Sequence, residues 1–210
     1  MQIDNIVEFK ISKNLVDYDS AIEFMNSHVN KMKKNQAKEI LWFLEHNSIF
    51  TAGTSAKEID QNIKNKNLIR YVGRGGQWTW HGPGQRVVYI MLDLKQREKD
   101  IKKYINNLEQ LIILTLKFFN INAIIQKGNP GVWGKKTNSF FKIASIGVRV
   151  SNWITWHGVS INVNPNLKSF EEIVPCGVQN GVVTSIEKEG RNISLNQFDE
   201  KLKENFSLFF

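Results

Sequence analysis

Arg86–Leu92 (RVVYIML), Lys99–Phe119 (KDIKKYINNLEQLIILTLKFF) and Ile121–Gln126 (INAIIQ) follow one another through the middle of the chain, and their order decides the fold class. The first is an apolar run of strand length. In the second, Ile101, Ile105, Leu108, Leu111, Ile112, Leu116 and Phe119 recur at helical spacing, which makes one face of a long helix apolar. The third returns to strand. Working outward, Glu39–Glu45 (EILWFLE), Phe141–Val148 and Gly158–Val163 read as three more strands. Tyr18, Ala21, Ile22, Met25, Val29 and Met32 mark an amphipathic helix on the amino-terminal side. A last helix starts near Ser194, whose hydroxyl forms a capping box with Gln197 three residues on. Strands in runs, flanked by about three helices, predict an α/β (α+β) architecture: a mixed β-sheet with helices packed on it. No repeat or Pro/Gly/Ser-rich linker divides residues 1–210, and that length fits one domain.

Composition narrows the function classes. With 41% hydrophobic residues the chain is not a disordered one, and its single cysteine excludes an internal disulfide framework or a Cys-rich zinc cluster. Four scattered histidines without an HxxxH pair argue against a metal site. The formal charge is +8, yet 22 lysines stand against 6 arginines and are dispersed along the chain. Arginine is the residue suited to planar phosphate and base readout, so nucleic-acid recognition is not indicated. The charge reads either as a solvated surface or as a docking face for an acidic protein. Asp4 and Glu8 stand where a signal peptide would be basic and then apolar, and the longest apolar runs, Ile40–Leu44 and Leu111–Leu116, fall far below the ~20 residues of a membrane helix. A soluble cytoplasmic protein with no membrane partner is expected.

Five of the chain's 14 glycines crowd into the thirteen positions Gly73–Gln85 (GRGGQWTWHGPGQ). Glycine permits positive φ and close approach of a ligand to backbone N–H groups, so Arg74 there is a candidate anion binder and His81 a candidate donor to a substrate oxygen. A tight turn between strands explains the same composition. Phe141–Val150 (FKIASIGVRV) reads as a buried strand opening on Lys142, with Gly147 marking a bulge or a close backbone approach. Lys142 is a surface lysine unless a titratable group lies beside it. The candidate is Cys176, set on a turn between Pro175 and Gly177. A lone cysteine is often a small buried hydrophobe, but a nearby ammonium would favour its nucleophilic thiolate. His157 is a competing partner for the thiol, or a structural histidine at a strand start.

Taken together, Phe43–His46 with Phe50–Gly53, Arg74–Gln85, Lys142–Arg149, and His157–Asn164 followed by Val174–Gly177 resemble the octanoyl transferases that begin lipoic acid assembly. The resemblance implies a fold similar to the biotin/lipoate protein ligase catalytic domain, in one catalytic domain over residues 1–210. It implies transfer of an octanoyl group from octanoyl-acyl carrier protein to a lysine of a lipoyl domain, in 2-oxoacid dehydrogenase E2 subunits and the glycine cleavage H protein. By the same resemblance Cys176 becomes acylated and Lys142 tunes it. Substrate contacts fall on Arg74, Gly75, Gly76, Gln77, Trp78, Thr79, Trp80 and His81, on Ser145, Ile146 and Gly147, and on Gly158, Val159 and Ser160. No cofactor is expected, because a thioester donor needs neither ATP nor metal; the alternative is an ATP-dependent lipoate-protein ligase on a related fold. Two departures stand out. Trp78 and Trp80 replace the smaller residue and the Tyr usual in the family's Gly-rich block, and Gly134–Phe140 (GKKTNSF) reads as a longer, polar loop near the entrance.

Overall fold

Three wholly buried strands form the centre of the molecule: β2 (Ile40–Leu44), β6 (Gln85–Met91) and β10 (Ile154–Asn162). In the computed structural model, which describes residues 7–136, 139–174 and 182–210, alternation along these strands feeds two separate cores. Leu41, Phe43, Val88, Ile90, Val159 and Ile161 pack against helices α2 (Ile101–Phe118) and α3 (Leu195–Phe206). Ile40, Trp42, Leu44, Val87, Tyr89 and Met91 face the other way, onto α1 (Tyr18–Lys33). The sheet is therefore a middle layer with helices on both faces.

Its full order is β1-β2-β6-β10-β9-β8-β7, where β1 is Glu8–Ile11, β7 Ala123–Gln126, β8 Asn129–Lys136 and β9 Ser139–Ser151. β1 joins β2 in parallel and the other neighbours in this order are antiparallel. A two-residue strand, β11 (Val182–Val183), runs parallel to β9 at Phe141 and Lys142, just beyond the end of β10's pairing at Ala144. A second, three-stranded sheet is built from β3 (Ile49–Ala52), β4 (Ile69–Tyr71) and β5 (Trp78–His81), in the order β4-β3-β5.

The mixed sheet, the helices and the Ser194–Gln197 capping box stand as the sequence predicts. Three local features differ. Gly134–Phe140 is not a loop where it is described: Lys135 pairs with Phe140 in the β8–β9 ladder, because both strands run on beyond the apolar stretch. β5 lies inside the Gly-rich block, where turn composition hides it. β9 and β10 are joined by the two-residue turn Asn152-Trp153, with φ of 52° and 66°. That left-handed pair is a hairpin geometry usually announced by glycine. Among the described residues no helix is long and apolar enough to cross a membrane.

One ion pair holds α3 to the sheet. Arg86 Nε lies 2.9 Å from Asp199 Oδ1, and both side chains are buried. Removing one partner of such a pair leaves an uncompensated buried charge. Asp199→Ala is expected to lower unfolding free energy by about 3–5 kcal/mol in urea titrations, while the double apolar variant Arg86→Met/Asp199→Leu recovers most of the loss.

Candidate active site

The glycine-rich segment forms a loop clamped by its own arginine. Arg74, buried in the loop, donates from Nη1 to Gly75 O at 2.9 Å, and from Nη2 to Thr51 O at 2.8 Å, Thr51 Oγ1 at 2.7 Å and Gln77 O at 3.0 Å. Its guanidinium thereby holds this loop to β3. The loop lies across β9, where Gly75 N donates to Val148 O at 3.0 Å. A Cβ on Gly147 would stand 2.8 Å from Arg74 Cδ. Gly147 thus marks a close approach; the bulge in this strand falls instead at Ile143, the extra residue of β9 opposite the Val132–Trp133 step of β8.

Beneath the loop is a narrow cleft with about 40 Å³ of free volume. Its lining brings together Arg74, Gly76, Gln77, Trp78, Thr79 and His81 from the loop and β5, Ser145–Gly147 from β9, and Gly158–Ser160 from β10. The pairings Ser145↔Ser160 and Gly147↔Gly158 set two of these stretches side by side. Gly75 and Trp80 are not in the lining. Trp80 donates from Nε1 to Ser48 Oγ at 2.9 Å and packs edge-on against Phe170, so of the two unusual tryptophans only Trp78 faces the cleft.

The polar groups at the cleft are held in defined tautomers. Gln85 donates from Nε2 to Trp80 O (3.1 Å) and Asn162 Oδ1 (3.0 Å), which turns its Oε1 toward His81 Nδ1 at 2.7 Å. His81 Nδ1 therefore carries the hydrogen, and Nε2 is an acceptor. This reverses the donor role anticipated for His81. His46 Nδ1 donates to Val16 O at 2.7 Å, so its Nε2 accepts from the Tyr89 hydroxyl, also at 2.7 Å. Tyr18 stacks on His81, with ring centroids 6.3 Å apart. His157 lies within β10 at φ 59° and lines the same cleft. Burial pushes His46 down to about 4, and His81 and His157 to about 3, with nearby positive charge adding to the effect at the last two. All three imidazoles are neutral at pH 7.

Residues 17–207 match the family described as Lipoyl protein ligase A/B catalytic domain. The octanoyltransferase of Bartonella quintana is 46% identical over 213 residues, a match covering 97% of this chain and 87% of that protein. The chain belongs to this octanoyltransferase family. Its fold is similar to those of two solved protein ligases. A bi-partite lipoate protein ligase from Thermoplasma acidophilum superposes at a TM-score of 0.71, with 14% identity, covering 97% of this chain and 84% of that one. The biotin protein ligase of Aquifex aeolicus does so at 0.53, with 12% identity and coverages of 96% and 67%. Octanoyltransferases are acyltransferases, and the chain is accordingly an enzyme.

Of the two residues with an expected chemical role in this acyltransferase, Lys142 sits in β9, three residues before the cleft-lining Ser145. It is buried, donates from Nζ to Pro130 O at 2.7 Å and lies 5.0 Å from the centroid of the Trp133 ring. That environment is not the solvated strand end of an ordinary surface lysine. Cys176 lies outside the described residues. Tyr18, Val87 and Tyr89 complete the cleft and were not anticipated; they are indistinguishable in sequence from core residues, which they also are.

The neutral histidines make the fold acid-sensitive. Each has a folded-state value below its unfolded 6.5, so its contribution is complete above pH 6.5 and is lost as pH falls toward 4 for His46 and 3 for the others. Asp199, raised to about 6 by burial, acts in the opposite sense below pH 6 but is one group against three. At pH 5 the histidines together remove on the order of 6 kcal/mol. The urea midpoint should drop steeply between pH 7 and pH 5, and His46→Phe should flatten that slope.

Proposed function

We propose that the enzyme transfers an octanoyl group from octanoyl-acyl carrier protein to a lysine of a lipoyl domain, by way of a thioester on Cys176. The match to octanoyltransferases across nearly the whole chain carries this reading. Octanoyl transfer in lipoylation is the chemistry of that family; the donor, the thioester and the acceptor are inferred. The cleft supports the inference by combining an acyl-compatible lining, from Val87, Ile146, Val159 and Trp78, with polar side chains such as His81 and Ser160. Residues 1–210 act as a single catalytic domain in this reading.

The reaction balances without cofactor. The Cys176 thiolate attacks the donor's thioester carbonyl and the carrier thiolate leaves, taking the proton of the Lys142 ammonium, so one thioester replaces another. The acceptor's neutral amine then attacks the enzyme thioester, forming an amide and expelling Cys176 as thiolate. Lys142 as ammonium favours the thiolate in the first half; as free amine it takes the proton from the incoming lysine in the second. An eight-carbon chain supplies roughly 5 kcal/mol of binding at ~0.8 kcal/mol per buried methylene. The proposed acceptors are lipoyl domains of E2 subunits and the H protein, and the proposed location is the cytoplasm.

Intact-mass measurement after mixing with octanoyl-acyl carrier protein tests the mechanism. A single octanoyl adduct is expected, absent in Cys176→Ala and formed about 10²-fold or more slowly in Lys142→Ala. Activity from free lipoate and ATP, with no adduct, would instead establish a ligase. Because the +8 chain is expected to meet an acidic carrier protein, KM for the donor should rise with ionic strength while kcat stays level.

A further inference from the structure

We propose that Glu109 is a positioning residue for Lys142, acting through the single peptide unit between Pro130 and Gly131. The proposal rests on the reading that Lys142 activates the acylated thiol.

Glu109 occupies an improbable place. It lies on the apolar stripe of α2, four residues from Ile105 and one from Leu108, and is buried there. A carboxylate in that position is costly unless something holds it. Its Oε1 accepts from Gly131 N at 3.0 Å, a buried bond between the helix and the start of β8. The carbonyl of the same peptide, Pro130 O, accepts from Lys142 Nζ at 2.7 Å. A trans peptide is planar, with its N–H and C=O on opposite sides. Glu109 and Lys142 therefore grip one rigid plate from its two ends. The carboxylate fixes the direction of the N–H, and thereby the direction in which the carbonyl dipole meets the ammonium.

Two further observations show that the plate is fitted to the lysine. Gly131 has a φ of 115°, and a Cβ there would stand 2.5 Å from Ala144 O, 2.9 Å from Lys142 Cε and 3.2 Å from Nζ. The Trp133 ring, held by its own Nε1 bond to Asn129 O at 3.0 Å, lies along the ammonium at 5.0 Å. Burial raises the Glu109 carboxyl above its usual value, while the Gly131 N–H and the positive charge of Lys142 oppose that rise. The groups packed around Lys142 from neighbouring elements thus include the Glu109 carboxylate from α2, the Trp133 face and the Pro130 carbonyl from β8, and the Thr184 N–H, which bonds to Lys142 O. The simpler account is that Glu109 merely satisfies a buried N–H.

The experiment separates the two. The rate of iodoacetamide alkylation of Cys176, the only thiol, is measured at pH 7 and pH 10 for wild type, Glu109→Met, Glu109→Gln, Gly131→Ala and Lys142→Met. Glu109→Met keeps the side-chain volume and removes a buried carboxylate, so it should fold. It is expected to alkylate about 10-fold more slowly at pH 7, with kcat for octanoyl transfer falling while KM for the carrier protein holds. The gap should close at pH 10, where hydroxide ionises the thiol without help from an ammonium. Glu109→Gln, which retains the acceptor oxygen, should recover most of the rate, and Gly131→Ala should reproduce the defect by displacing the same peptide. Wild-type alkylation in both Glu109→Met and Gly131→Ala overturns the proposal, as does a defect equal at both pH values. Lys142→Met alkylating like wild type removes the underlying reading and the proposal with it, whereas wild type forming no octanoyl adduct counts against the transfer reading alone.

Discussion

The side-chain amides of Gln85 and Asn162 meet at 3.0 Å in the interior of the large sheet, and the site is assembled around that contact. Gln85 orients His81 on one side. Asn162 donates from Nδ2 to Thr184 O at 2.9 Å on the other, and Thr184 N returns to Lys142 O. A buried amide that lost its partner would cost on the order of 1–3 kcal/mol, so each member constrains the next. The ladder joins the glycine-rich block, the strand bearing Lys142 and the residues that follow the Cys176 stretch. Segments distant along the chain are brought to one place by polar contacts in which each acceptor has a determined donor.

Around that ladder the fold separates stiffness from access. The eight-stranded sheet, filled on both faces, supplies one wall of the cleft; the three-stranded sheet and its loop supply another. Glycine is used where another segment must pass close by, as at Gly147 under the Arg74 side chain. Arg74 ties the loop down through three carbonyl oxygens and a hydroxyl while its side chain also lines the cleft.

Much of this was legible in the residues. The long helix, the flanking strands and the Ser194 cap follow from periodicity and capping chemistry, which are local. The Gly-rich block, Ser145–Gly147 and Gly158–Ser160 were singled out through their likeness to known octanoyl transferases, and most of them do line one cleft. What local pattern did not carry was pairing. β5 is hidden in turn composition, and the roles of His81 and Arg74 depend on which neighbours reach them first. Glu109 did leave a trace, a charge on a buried stripe, whose meaning required knowing which peptide faced it. Tyr18 and Tyr89 left none, because a tyrosine that lines a cleft and one that fills a core look alike in one dimension.

The placement of Lys142 and the Ser145–Gly147 wall on a single strand has a geometric corollary. Three residues of fully extended chain span at most about 10 Å. Deleting or inserting one residue between positions 142 and 145 would not merely lengthen it but turn the lysine to the opposite face of the sheet. That span already holds one irregularity: Val132 pairs with Ala144 and Trp133 with Lys142, so Ile143 is an extra residue in β9, beyond which the ladder with β10 runs unbroken from Ala144 to Ser151. The strand serves as a measuring rod, and the single extra residue in it helps set the distance between Lys142 and the wall of the cleft.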